Sequence, residues 1–230
     1  MGPDLTVLTF NAAAVALIHT AIGPDHYLPF IVLSKARNWS MAKTAWITFA
    51  CGLGHVASSV VLGMVGYAVG ASLHRLEWIE SVRGGVAAWC LIGFGALYAA
   101  WGLWRLHRTP PDGHSHDHLI RLHAYDHVHN PRTGEEVSMT PWILFVIFAF
   151  GPCEPLIPLF IYPAATSGWT GAWVVAVTFS VVTIGAMLAI VLAAKAGLAW
   201  LPTRRFARYG HVIAGGTIAL SGGAIQMLGL

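Results

Sequence analysis

Two short segments of the chain place proline directly beside side chains that bind metal ions. Residues 23–31 read Gly-Pro-Asp-His-Tyr-Leu-Pro-Phe-Ile, and residues 151–160 read Gly-Pro-Cys-Glu-Pro-Leu-Ile-Pro-Leu-Phe. Gly-Pro precedes a pair of candidate ligands in both segments, Asp25-His26 in the first and Cys153-Glu154 in the second. Proline disrupts helical hydrogen bonding because it has no N–H group. Each segment is therefore predicted to interrupt a helix where its ligand side chains lie.

Two further histidines extend this set. His19 lies seven residues before His26, so both project from one helical face. His55 is the one charged-type side chain in its apolar stretch. Imidazole, carboxylate and thiolate groups suit nickel, cobalt, zinc or iron(II), whereas calcium and magnesium prefer oxygen ligands. The predicted metal site consists of His19, Asp25, His26, His55, Cys153 and Glu154.

Four of these residues also have a structural interpretation. Asp25 is a residue type that starts helices, and a free cysteine such as Cys153 is often a small buried hydrophobe. His55 and Glu154 could form hydrogen bonds to neighbouring helices, although ionisable groups inside a membrane are more often functional. The sequence favours ligand roles because these residues occur together.

A long polar connection carries a second group of histidines within residues 106–138. Short histidine tracts bind borderline divalent metals loosely. A merely solvated loop is the alternative for this segment. The residues predicted to capture metal here are His114, His116, His118, His123, His127 and His129.

Composition indicates what must position these residues. Of the 230 residues, 56% are hydrophobic and only 10% are charged, against roughly 25% charged in an ordinary soluble domain. Because Asp4 and no basic residue lies among the first ten residues, we expect no cleavable signal peptide. We predict an all-α integral membrane protein with six transmembrane helices, at about 6–34, 44–71, 84–105, 141–165, 170–197 and 207–229.

The six predicted helices form an internal repeat. A shift of 127 or 128 residues places helices one to three on helices four to six, with helices one and four each broken at Gly-Pro. Because each unit contains an odd number of helices, the second unit must be inverted. Secondary transporters build midplane sites from broken helices in such repeats. The predicted organisation is a first repeat at 1–105, a histidine-rich loop at 106–138 and a second repeat at 139–230.

The basic residues predict the orientation. All of the 13 Lys and Arg residues except Arg75 and Arg83 follow helices one, three and five, and this bias marks the cytoplasmic side. Both termini are then outside and the long loop is cytoplasmic, in a prokaryotic inner membrane. The formal charge of +3 reflects this bias and gives no indication of nucleic-acid binding.

These observations predict a secondary transporter of a divalent transition metal, and no enzyme. The ligands must lose protons to bind metal, so exchange of metal for protons is a natural coupling. The expected partners are the metal ion, protons and the lipid bilayer, with no permanently bound cofactor. Direction of transport and oligomeric state stay open.

The same residues resemble signatures of the nickel/cobalt transporter family and its shorter relatives, the urease accessory membrane proteins. The first signature is similar to His19 with Asp25-His26, and the second to Leu53-Gly54-His55 and the valines that follow. A later one is echoed by residues 150–154. The resemblance implies nickel or cobalt as substrate, and it places the chain in a superfamily that includes thiol-reductant conductors and sulfite-exporter-like proteins.

That superfamily provides the alternatives. A thiol-disulfide conductor needs a cysteine at each helix break, whereas this chain has Cys153 at one and Asp25 at the other; Cys51 or Cys90 could substitute. A sulfite-type anion exporter needs fixed cations, and the predicted spans contain no midplane Lys or Arg. A metal sensor or buffer that acts through the loop is the alternative that involves no transport.

Overall fold

A computed structural model describes residues 5–108, 139–151, 153, 155–199 and 207–228. All regular structure in this part of the chain is helical, which confirms the all-α prediction. Short 3-10 helices cover Pro24–His26 and Ala207–Tyr209. The α-helices are α1 (Leu5–Ile22), α2 (Leu28–Ala36), α3 (Met41–Ala68), α4 (Leu73–Arg108), α5 (Met139–Phe150), α6 (Leu156–Ala199) and α7 (Gly210–Leu228).

Four segments among the described residues are long and apolar enough to cross a membrane. They are Leu5–Ile22, Met41–Ala68, Leu73–Arg108 and Leu156–Leu198, with mean hydropathy between 1.6 and 2.5. Large apolar side chains such as Trp89 and Leu97 point outward from these helices. Because water would penalise so much exposed apolar surface, the chain is an integral membrane protein.

The helices show the predicted break in the first span and depart from the predicted bounds at the start of α4. The predicted first span is divided into α1 and α2 by the 3-10 helix, and α6 changes direction at Gly168, whose φ of 68° lies in the left-handed region. Glycine is suited to that conformation because it has no Cβ. In addition, α4 begins at Leu73 and not near residue 84 as predicted, and its N-terminal part contains Glu80 and Arg83, which form an ion pair.

Glycines bring α4 and α7 into backbone contact. A Cβ on Gly95 would lie 2.7 Å from the carbonyl oxygen of Gly215 and against the backbone nitrogen of Ala219. A Cβ on Gly215 would in turn lie 2.6 Å from the carbonyl oxygen of Gly95. Such close approach is how helices associate without a hydrophobic driving force. The two helices form one long interface between the two halves of the chain.

The remaining helices also pair across the two halves. α3 packs against α5 and α6, α1 packs against α6, and α2 packs against α7. Phe30 of α2 and Phe148 of α5 are buried, with ring centroids 4.8 Å apart. The segments that follow the first Gly-Pro and precede the second therefore meet in the interior.

A candidate metal-binding site between two helix breaks

The first Gly-Pro segment interrupts the helix as predicted. α1 ends at Ile22, and Gly23 adopts an extended conformation, with φ −75° and ψ 103°. One 3-10 turn follows, in which the N–H of His26 donates to the carbonyl of Gly23 at 3.2 Å. α2 then begins at Leu28. The break turns the chain so that His26 faces the interior, where it is buried.

Three predicted ligands come together at this break. One nitrogen from each of His19, His26 and His55 lies within 4.8 Å of the others. The ring centroid of His26 lies 4.7 Å from the ring centroid of His19 and 5.1 Å from that of His55. Nitrogens that share one tetrahedral ion at about 2.0 Å are roughly 3.3 Å apart, so small side-chain rotations would let all three bind one ion.

Some nitrogens of this trio lack hydrogen-bond partners. Nε2 of His26 is buried without a partner among the described residues, and His55 forms no hydrogen bond of ordinary geometry there, although the carbonyl of Phe148 is close enough to influence it. An unsatisfied buried polar atom costs about 1–3 kcal/mol. A bound cation would satisfy these nitrogens.

The carboxylate of Asp25 contacts the imidazole ring of His26. Its Oδ1 is 3.1 Å from Nδ1 of His26, and the same nitrogen is 3.2 Å from the carbonyl oxygen of Gly23. A carboxylate on one imidazole nitrogen orients the ring and makes the other nitrogen a better metal ligand. Such a contact would let Asp25 orient His26 and leave Nε2 of His26 as the nitrogen available to an ion.

The second Gly-Pro segment adds a thiol to the site. α5 ends at Phe150, and the buried Cys153 places Sγ 3.9 Å from Nε2 of His19. The backbone N–H of Cys153 donates to Oγ of Ser59 at 3.2 Å. Glu154 and the six loop histidines lie outside the described residues, so their ligand roles stay predictions.

A cavity of about 350 Å³ adjoins the histidines. It lies between α1, α4 and the end of α5, and its walls are mainly apolar. Because its walls are mainly apolar, electrostatic interactions with an ion bound there would be screened less than in bulk water. The lining residues of this cavity include the four candidate site residues and two residues at the end of α5, namely His19, Asp25, His26, His55, Phe148 and Gly151.

Sequence reasoning missed a buried ion pair near the second break. Nη1 of Arg83 donates to Oε1 of Glu80 at 2.9 Å, and Glu80 is fully buried. The predicted spans at 44–71 and 84–105 leave both residues in a connection outside the membrane. Their separation of three residues places both side chains on one helical face, and this spacing is the sequence feature that indicates an ion pair within a helix.

The match to a known protein family covers most of the chain. Residues 28–224 match the model of the cytochrome c biogenesis protein transmembrane region. The chain therefore belongs to this family. No curated protein and no solved structure matches the chain.

This family membership bears on the sequence predictions. It points to a membrane protein of the thiol-disulfide or cytochrome c biogenesis type, which agrees with the thiol-disulfide alternative better than with a metal transporter. The resemblance to nickel/cobalt transporters is not confirmed. All three cysteines are free thiols, with Cys51 and Cys153 buried and Cys90 exposed.

Proposed function

We propose that the chain carries a divalent transition-metal ion across the membrane by binding it at His19, His26 and His55. The observation that supports this most is the convergence of three imidazoles, two of them buried, within 4.8 Å of one another beside a mainly apolar cavity. Imidazole favours nickel, cobalt, zinc and iron(II). Nickel and cobalt are the proposed substrates, and zinc and iron(II) share the required chemistry.

The neighbouring groups fit this substrate class. The Asp25 carboxylate supplies negative charge through its contact with His26, which offsets part of the charge of a dehydrated dication. The Cys153 thiol beside His19 adds a soft donor, which discriminates against magnesium and calcium. The site is thus selective through ligand chemistry.

Two inverted three-helix repeats are the proposed architecture. Three features support this: both Gly-Pro segments interrupt a helix, α6 changes direction at Gly168, and α3 and α4 pack against α6 and α7. In such transporters, one repeat moves against the other around a midplane site, which opens it to each side in turn. The histidines would lie at the centre of that motion.

Orientation and coupling follow from the same proposal. The basic ends of the helices would face the cytoplasm of a prokaryote, with both termini outside. Because imidazole binds metal only when neutral, metal entry would release protons, and a proton gradient would drive exchange. The chain would act without catalysing a reaction and without a permanently bound cofactor, and the loop histidines would collect metal in the cytoplasm.

Metal flux into proteoliposomes tests this proposal. Purified protein is reconstituted, and uptake of Ni²⁺, Co²⁺, Zn²⁺ and Fe²⁺ is followed with an internal indicator. We expect flux of at least one of these ions, and loss of that flux in His26→Ala. His74→Ala, which alters an exposed histidine at the start of α4, should retain it. Absence of flux for all four ions would refute metal transport.

A thiol-disulfide conductor is the second candidate, and family membership favours it. In that reaction the two thiols pass two electrons and two protons to an acceptor disulfide on one side of the membrane and become a disulfide, which a dithiol reductant on the other side reduces again. Cys51 and Cys153 are the two buried thiols. If a mild oxidant protects both from alkylation in the wild type, and Cys51 stays reactive in Cys153→Ser, this candidate replaces metal transport.

A further inference from the structure

Glu80 and Arg83 lie on the face of α4 that points into the protein. The Glu80 side chain is fully buried and that of Arg83 is 19% exposed. Charged groups inside a membrane protein are costly unless they are paired, and they generally mark function. The metal-binding side chains described above do not include either residue, so the pair needs its own explanation.

The Arg83 guanidinium reaches three acceptors. Nη1 donates to Oε1 of Glu80 at 2.9 Å, and Nη2 donates to Oγ of Ser58 at 2.8 Å and to the carbonyl of Ala149 at 3.1 Å. Ala149 is in the last turn of α5, and the N–H of Cys153, four residues on, donates to Ser59 and not to the Ala149 carbonyl. A cation at this helix end also opposes the helix dipole. Arg83 thus caps the helix that leads into the second break.

One hydrogen-bonded connection leads from Arg83 to the site, and a second hydrogen bond joins the same turn of α3 to Cys153. Oγ of Ser58, which accepts from Arg83, donates to the backbone carbonyl of His55 at 2.8 Å. The next residue, Ser59, accepts the N–H of Cys153 at 3.2 Å. One turn of α3 therefore carries His55 and holds both Arg83 and Cys153.

We propose that Arg83 is a positioning residue for the metal site, which fixes the His55 turn of α3 against the end of α5. This inference rests on the proposed function. A guanidinium is required because its planar fork serves several acceptors at once, whereas a lysine ammonium is a point charge on a flexible stem.

Glu80 has a distinct part in this arrangement. An unpaired cation beside the site would repel the dication that the histidines bind. Pairing with Glu80 leaves the two side chains with no net charge while the guanidinium keeps its donors. Glu80→Gln should therefore weaken metal binding, although it removes no group that contacts the metal.

Cobalt binding to the full-length protein in detergent tests the proposal. Calorimetry gives the Co²⁺ dissociation constant, and visible absorption of Co²⁺ reports its coordination geometry. We expect Arg83→Gln to weaken binding about 10–100-fold, the usual effect of removing a group that orients metal ligands, and to change the spectrum. Compared with Arg83→Gln, the variant Arg83→Lys should recover only part of the wild-type affinity and only part of the wild-type spectrum. Arg75→Gln and Glu77→Gln, at exposed positions on the same helix, should match the wild type.

The outcomes separate this inference from the proposed function. If the wild type does not bind Co²⁺, the proposed metal site fails, and this inference fails with it. If the wild type binds and Arg83→Gln lowers only the melting temperature, with an unchanged dissociation constant and spectrum, the positioning role alone is wrong. Should Arg83→Gln fail to fold, Ser58→Ala decides, because a wild-type cobalt spectrum in that variant would equally overturn the inference.

Discussion

Gly23→Ala isolates the geometry of the first helix break. The backbone of Gly23 has φ −75° and ψ 103°, which any residue adopts without strain, so the substitution tests only the space that a Cβ needs. That Cβ would lie against Nδ1 of His26, 2.8 Å from its Cε1 and 2.9 Å from Oδ1 of Asp25. Glycine is thus required by the imidazole and carboxylate that cover it.

The size of the effect follows from these distances. Moving Cε1 from 2.8 Å to an ordinary contact of about 3.4 Å requires a shift of about 0.6 Å, which exceeds the roughly 0.5 Å tolerance of a binding site. The shift also disturbs the contact between Asp25 and His26, and loss of such a contact weakens metal binding about 10–100-fold. We expect a loss of this size for Co²⁺ in Gly23→Ala.

Calorimetric titration of purified Gly23→Ala with Co²⁺ provides the measurement. Gly85→Ala is the matched control, because a Cβ there meets nothing within 4 Å. Its dissociation constant should equal that of the wild type. If Gly23→Ala also binds Co²⁺ with wild-type affinity and spectrum, His26 is not held in place as described, and the reasoning about this break is refuted.

Three further predictions concern other parts of the molecule. Gly95→Ala pushes a Cβ into the backbone of α7 and should cost about 1–3 kcal/mol of stability, whereas Gly93→Ala, which faces open space, should leave the melting temperature equal or higher. Asp25→Asn should weaken Co²⁺ binding about 10–100-fold without loss of folding, and equal affinity would exclude its orienting role. Tyr98→Phe removes the acceptor of the Arg37 Nε–H and should lower the unfolding free energy by about 1–3 kcal/mol; an unchanged denaturation midpoint would argue against this contact.

Part of the candidate site could be predicted from spacing alone. The spacing predicts that His19 and His26 face the same way and that Gly-Pro breaks the helix between them. The structure brings the two rings together across that break and not along one continuous helix. His55 was predicted because it is an isolated ionisable side chain in an apolar stretch. These local patterns sufficed because each depends only on neighbours along the chain.

Other parts depend on contacts between distant segments. Whether Asp25 binds the ion or orients His26 is decided by which imidazole nitrogen it faces, and sequence does not specify that. Glu80 and Arg83 resembled charges of an external connection because the acceptors on α3 and α5 that accommodate Arg83 lie far away in sequence. Ser58 and Ser59 gave no signal, since serine is common in membrane helices.

X-ray absorption at the cobalt edge of the Co²⁺-loaded protein tests the central claim most directly. A site formed by His19, His26 and His55 should give the multiple-scattering pattern of about three imidazoles at roughly 2.0–2.1 Å, reduced by one imidazole in His55→Ala. A shell of oxygen ligands alone, identical in the wild type and in His55→Ala, would contradict the account.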